Sequence, residues 1–241
     1  NIKVLFPSSG FDIYPFSENI KEISELDAKA IVSNRDVLEV CRDKLLTFNR
    51  LPKSSKFVFT TDNPDKIHGF PFFAKPRYGK GSRGIIKIED ELDLKYVLDK
   101  IDDVIFQEYL PGIEYTVDVL SDLLGNPLVA IPRIRLQTKA GISTMGKIIR
   151  NKKIETICLN TAKNLGIVGP CCIQMKESKD GQLRMIEVNP RLGGGTIFTT
   201  LAGVNFPSIL LDMVEGDKEI IIPKAKEITV VRYYEEIIVE N

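Results

Sequence analysis

Only one histidine, His68, and four cysteines occur among the 241 residues. With a single imidazole, a His-based catalytic triad or a multi-His metal site has little material. Four cysteines in a chain this long do not make a disulfide framework, and the adjacent pair Cys171-Cys172 lacks metal-ligand spacing. Reduced core cysteines are the expectation. His68 stands beside the turn signals Gly69 and Pro71 and reads as a surface-loop residue. No apolar run approaches the ~20 residues that cross a bilayer, and no charged-then-apolar leader opens the sequence. An excess of either charge is also lacking: 33 Lys and Arg balance 33 Asp and Glu, which argues against a nucleic-acid surface or a basic membrane anchor. A soluble, cytoplasmic globular protein with neither nucleic acid nor membrane as partner is expected.

What is present suits one large domain or two lobes around a cleft, since 43% of the residues are hydrophobic. NIKVLF reads as a strand, and the proline- and glycine-bearing FPSSGFDIYPF as a break. From Ser33 a helix is expected, capped by Asn34 or Asp36, with Val37, Leu38, Cys41, Leu45 and Phe48 at helical spacing and a stop near Pro52. Beyond Gly69 the pattern is α+β. FFAKP and IIKI are strands around a Gly-rich loop, a helix covers 90–100, and DVIFQEYL, EYTVDVL, LVAIPRIRL and STMGKII continue as strands. A helix near 153–165, the strands CCIQMKE and LRMIEVN about the turn KDG, and a helix near 206–214 complete it.

A two-residue Asp180-Gly181 turn places Gln174 directly across from Glu187. Alternation puts Ile186 and Val188 on one face of that strand and Glu187 and Asn189 on the other. Gln174, Glu187 and Asn189 then offer hard oxygen donors suited to Mg²⁺ or Mn²⁺. A polar solvent face fits the same pattern.

AKPRYGKGSRG, residues 74–84, sets Gly79, Gly81 and Gly84 among Lys75, Arg77, Lys80 and Arg83. Glycines let backbone N–H groups approach phosphate oxygens, and the cations add charge. The segment is neither a Walker loop nor a Rossmann fingerprint, and a hairpin with solvated lysines is the alternative. Lys75 interrupts an apolar strand, where a buried cation needs a partner. Arg191 ends IEVNPR before the flexible LGGG, where a forked guanidinium can clamp a carboxylate or a transferring phosphoryl group.

Taken in order, CRDKLLTFNRL (41–51), FAKPRYGKGSRG (73–84), QEYLPGIEYTVDV (107–119) and CCIQM with IEVNPR (171–191) resemble the nucleotide and metal motifs of the ATP-grasp superfamily. The resemblance is closest to the ATP-binding halves of the carbamoyl-phosphate synthetase large subunit, and it runs over residues 35–215. It implies an α+β ATP-grasp fold in which two α+β lobes clasp ATP and Mg²⁺ or Mn²⁺. The domain would cover 35–241, with a smaller lobe at about 53–110 and a larger one at about 111–241. Residues 1–34 would be the remnant of an N-terminal α/β lobe, completed by a second copy or by an additional domain or subunit.

By the same resemblance Lys44 and Lys75 contact phosphates, and Arg77, Gly79, Gly81 and Ser82 belong to a flap over them. Gln107, Glu108, Tyr109 and Leu110 form the adenine hinge, and Glu114 meets the ribose. Gln174, Glu187 and Asn189 hold metal, and Arg191 sits beside the γ-phosphate and the acceptor. A solvated helix lysine for Lys44, exposed strand acids for Glu108 and Glu114, and a hairpin charge for Asp118 are the structural alternatives. Gln174 departs from the acid of many ATP-grasp ligases and leaves one or two metal ions open.

The acceptor is less legible. PRIRLQTKAGIST, 132–144, offers Arg133 and Arg135 on one strand face for an anionic substrate, or else a charged sheet edge. Arg191, Lys75 and Arg135 are thus the candidate catalytic residues. The expected activity is a Mg-ATP-dependent ligase acting on a small carboxylate or amino acid through an acyl phosphate. A bicarbonate-phosphorylating domain and a non-catalytic nucleotide-binding module are the alternatives.

Overall fold

Short apolar runs pair first near the N-terminus. β1 (Val4–Leu5) lies parallel to β2 (Lys29–Ala30), with helices α1 (Ile13–Glu18) and α2 (Ile20–Glu25) between them. Pro15 falls in the first turn of α1, where its missing N–H costs nothing, so FPSSGFDIYPF contains a helix rather than only a break. This computed structural model describes residues 2–66, 68–79, 84–216 and 219–239. His68 is exposed in a loop, and the cysteines are free and buried.

The single helix expected up to Pro52 is two, α3 (Arg35–Arg42) and α4 (Lys44–Arg50). Asn34 caps α3 by accepting the Val37 N–H. The break falls at Asp43, whose backbone is extended (φ −94°, ψ 106°) and whose side chain accepts the Leu45 and Leu46 N–H groups. A cap in mid-pattern competes with helix continuation.

β3 (Thr60–Thr61), β4 (Phe72–Pro76), β5 (Ile86–Ile88) and, after helix α5 (Glu91–Lys100), β6 (Val104–Glu108) form an antiparallel four-stranded sheet ordered β3-β6-β4-β5. Ala74, Ile88, Val97 and Phe106 build its core against α5.

The larger sheet joins β7 (Glu114–Ser121), β8 (Pro127–Lys139), β9 (Ile142–Ile148), β10 (Pro170–Glu177), β11 (Leu183–Asn189) and the late strand β12 (Thr229–Val231). Its order is β11-β10-β7-β8-β9-β12. Helix α6 (Lys152–Leu165) lies between β9 and β10 in the chain; α7 (Thr196–Leu201) and α8 (Phe206–Glu215) follow β11. Alternation decides which face is which. Tyr115, Val117, Val119, Cys171, Ile173 and Met175 pack on Ile154, Cys158 and Ala162 of α6, so the intervening Thr116, Asp118, Cys172 and Gln174 face the other way. Phe198, Phe206 and Leu210 from α7 and α8 form a second core with Ile131 and Ile148.

Gln174 does pair with Glu187, by a different route from the expected one. The loop between β10 and β11 has one residue more, because Ser178 and Gln182 bond to each other about Lys179, Asp180 and Gly181. A bulge at Ile186 then restores the register, since Gln174 opposes Glu187 while Met175 opposes Met185. The bulge also corrects the face of Ile186: it lines the cleft beside Glu187, whereas Val188 is buried in the core beneath.

Candidate functional site

The polar face of the larger sheet and the four-stranded sheet enclose a cavity of about 660 Å³. Cross-strand register explains the convergence of its floor. Glu187, Gln174, Thr116 and Arg133 stand in one row, and Asn189, Cys172 and Asp118 in the next. Asn189 Nδ2 donates to Glu187 Oε1 at 2.9 Å, leaving the Asn189 amide oxygen free to act as a donor to metal. Gln174, Glu187 and Asn189 supply one carboxylate and two amide oxygens. No group of three His, Cys, Asp or Glu is placed to hold a metal ion among the described residues. This hard, weakly charged set fits a Mg²⁺ whose remaining ligands are water and phosphate.

Lys75, on β4, points into the cavity and donates to Gln107 Oε1 at 2.7 Å; Gln107 Nε2 in turn donates to Thr60 Oγ1 at 3.0 Å. The buried partner is therefore a neutral amide. Burial lowers the Lys75 pKa to about 8, with Glu187 opposing the shift and Lys44 adding to it. Burial also lowers Lys44, again opposed by Glu187. Lys44 sits at the start of α4 and donates to the carbonyls of Pro76, Arg77 and Gly79 at 3.5, 3.4 and 3.3 Å. Two cations from distant segments thus line the same cavity as the Glu187 carboxylate.

Gly79, Gln107, Glu108, Leu110 and Glu114 also line the cavity. Gly81 and Ser82 lie outside the described residues. Tyr109 is not brought into the lining: it packs on Phe73, ring centroids 5.4 Å apart, with Lys87 over its ring. Arg77 turns to Asp43, with Nη2 2.6 Å from Oδ2. Arg191 lines the cavity; its backbone N–H donates to the Asn189 carbonyl at 2.8 Å and its guanidinium to the Leu192 carbonyl at 2.9 Å.

The two strand arginines expected to await an anionic acceptor are already engaged. Arg133 is 1% exposed and donates to Asp118 Oδ2 and to the Gly195 carbonyl, both at 2.8 Å. Thr199 also donates to Asp118, at 2.6 Å, which makes Asp118 a buried anchor rather than a hairpin charge. Arg135 donates to Glu114 at 2.5 Å and to the Gly141 carbonyl at 2.8 Å. Burial pushes the Cys172 thiol up to about 12, so the cavity holds no thiolate nucleophile at neutral pH.

Lys176, Ile186 and Asp43 escaped the sequence reading. Lys176 lies on the same alternating face as Gln174 and was recoverable from that pattern; Ile186 depends on the bulge and Asp43 on a contact with the loop at 77–78.

Two antiparallel sheets facing across this cleft, with lysines on one side and the oxygen row on the other, form the ATP-grasp fold. Residues 100–237, more than half of the chain, match the family described as "ATP-grasp in the biosynthetic pathway with Ter operon", and the chain belongs to it. Its sequence is also similar to carbamoyl phosphate synthase large chains. It is 27% identical over 232 residues to that of Methanocorpusculum labreanum, covering 85% of this chain and 22% of the relative. To that of Clostridium botulinum it is 32% identical over 138 residues, covering 51% and 13%. The chain thus spans about a quarter or less of these relatives.

Among solved structures, the biotin carboxylase domain of Hydrogenobacter thermophilus 2-oxoglutarate carboxylase, in complex with MgADP, ADP and bicarbonate, superposes with a TM-score of 0.73. Identity is 17%, and the match covers 90% of this chain and 54% of that one. The Coxiella burnetii D-alanine-D-alanine ligase gives 0.69 at 16% identity, covering 89% and 68%. No helix among the described residues is long and apolar enough to cross a membrane.

Proposed function

We propose that this chain is the ATP-binding and phosphoryl-transfer portion of a ligase that activates a carboxylate with Mg-ATP for attack by an amine or similar nucleophile. The observation that carries this reading is that Lys44 and Lys75 line one cavity with Gln174, Glu187, Asn189 and Arg191, Asn189 lying 2.9 Å from the Glu187 carboxylate. In the proposal ATP lies in the cavity with its adenine toward the strand end at Gln107–Leu110 and Ile186, and its ribose toward Glu114. Lys44 and Lys75 neutralise phosphate charge, Gln107 orients the Lys75 ammonium, and Arg135 holds Glu114 in place. Gln174, Glu187 and Asn189 would hold Mg²⁺, which when bound draws phosphate oxygens together and offsets their charge.

An acceptor carboxylate oxygen attacks the γ-phosphorus, the bond to the β,γ-bridging oxygen breaks, and ADP leaves with the electron pair. Arg191 stabilises the charge spread over the transferring group. The nucleophile then attacks the acyl carbon, the C–O bond to phosphate breaks, and inorganic phosphate leaves with the electron pair. Positioning and electrostatics suffice, which agrees with a site lacking histidine and reactive thiol. The likeness to a biotin carboxylase domain in complex with MgADP, ADP and bicarbonate supports bicarbonate as a second reading of the acceptor.

The test is acid-stimulated ADP release from Mg-ATP by the full-length protein. Glu187→Ala is expected to lower it about 100-fold or more while nucleotide still binds. Unchanged release in that variant overturns the assignment of Glu187 and with it the reading of the site.

A further inference from the structure

A second cavity, of about 590 Å³, opens beside the first and shares Phe11, Lys44, Gly79, Glu187, Asn189 and Arg191 with it. Its far wall comes from the N-terminal unit and from α3, through Tyr14, Leu38 and Arg42, with Tyr78 alongside. Among the described residues four cations line it (Arg35, Arg42, Lys44, Arg191) against one acid, Glu187, which shares the first cavity with Lys44 and Lys75.

The cations are not equivalent. Arg35 is closed by ion pairs to Glu18 and Glu39. Arg42 is held mainly by rings: its guanidinium lies 5.5 Å from the Tyr14 centroid and 5.4 Å from that of Tyr78, and its one acid contact, to Glu39, is 3.8 Å long. Tyr78 is itself fixed by its hydroxyl on Asp43. Arg191 makes no ion pair among the described residues. A cavity with two such arginines and an apolar wall between them is built for an organic anion with charge at both ends.

The geometry points to this second cavity as the acceptor site, and to an acceptor that carries a second anionic group besides the carboxylate to be activated. This rests on the ligase reading. The carboxylate meets Arg191 where the two cavities join, the body lies along Phe11 and Tyr14, and the second anion is read by Arg42. Bicarbonate would fill only a small part of such a space and would leave Arg42 without a role.

The experiment measures ADP release by the full-length protein with Mg-ATP and acids of matched length: monocarboxylates, dicarboxylates, phosphocarboxylates and bicarbonate. Dicarboxylates or phosphocarboxylates are expected to stimulate at least tenfold over their monocarboxylate counterparts, and the stronger of the two classes identifies the second anion. Arg42→Gln should raise the KM for that acceptor tenfold or more without changing the KM for ATP, and Arg42→Lys should restore part of the loss. Stimulation by monocarboxylates or bicarbonate equal to that by dianions, or an acceptor KM unmoved in Arg42→Gln, overturns the inference and leaves the ligase reading standing. Absence of stimulation by every acid overturns the ligase reading and the inference with it.

Discussion

Asp43 and Arg77 join the break between α3 and α4 to the root of the Gly-rich loop: one carboxylate oxygen, Oδ2, accepts from Arg77 Nε at 2.9 Å and Nη2 at 2.6 Å. The other oxygen caps α4, and Lys44 on that same turn holds the loop carbonyls. One residue therefore ends a helix, begins the next and registers Lys44 against the loop.

Replacing Asp43 separates these duties. Asp43→Ala loses cap and ion pair, and urea unfolding should register a loss of about 1–3 kcal/mol, moderated because Arg77 is partly solvated. Asp43→Asn keeps a capping oxygen and should cost about 1 kcal/mol. Burial acts to raise the Asp43 pKa, but hydrogen bonds from Arg77, Leu46 N–H and Tyr78 outweigh it and hold the carboxyl below its ordinary value. The ionised form stabilises the fold above the unfolded pKa of about 3.9, and that stabilisation is lost as pH falls through the folded pKa. The gap between wild type and Asp43→Asn should therefore narrow as pH falls from about 5 toward 2; a constant gap removes the ion pair from the account.

Lys75 gives the opposite sign. Its folded pKa, lowered by burial to about 8, lies below the unfolded value of about 10.4, so the unfolded chain binds more protons between the two and stability rises with pH there. At pH 7 the charged lysine costs stability, and Lys75→Met should gain on the order of 1–3 kcal/mol in chemical denaturation while weakening nucleotide binding. For the wild type, titration calorimetry should show Mg-ATP affinity falling as pH rises above about 8, by up to about tenfold per unit, as the ammonium is lost. Lys75→Met should show no such slope. A slope shared by both proteins assigns it to another group.

Arg133 and Asp118 form a fully buried pair, each side chain 1% exposed. Asp118→Asn or Arg133→Met leaves one charge, or its partners, stranded in the interior, and each should cost about 3–5 kcal/mol in urea unfolding. The double variant should cost less than the sum. Gly195→Ala attacks the same pair sterically, since a Cβ there would lie 2.3 Å from Arg133 Nη2; about 1–3 kcal/mol is expected. The loop that includes Gly193–Gly195 follows Arg191 directly, so these variants should also lower ADP release before they unfold the protein. Additive costs of the two single substitutions speak against the coupling.

Much of the architecture was legible because its causes are local. Period-two alternation marked the long strands and separated the face on α6 from the face in the cleft. Asn34, Asn151 and Asn205 mark helix starts by bonding N–H groups within their own first turns. The elements missed are those with little periodicity: α1 and α2 are six residues each, α7 is six, and β12 is three. Their stability comes from packing on residues far away in sequence.

The sequence by itself determined the chemistry on offer: lysines in a helix and in a strand, a glycine-rich loop, and a Gln, Glu and Asn row with an arginine beyond. Only the tertiary structure decided which groups are available. Arg133 and Arg135 are consumed by Asp118 and Glu114 across neighbouring strands, Arg77 is drawn away by Asp43, and Ile186 is turned into the cleft by a bulge. Arg42 instead lines a second cavity made with the segment 10–14 upstream and the end of β11 far downstream. Alternation and capping act over a few residues and can be read in order. The pairing of charges and the closing of a cavity depend on distances that exist only once both sheets are folded.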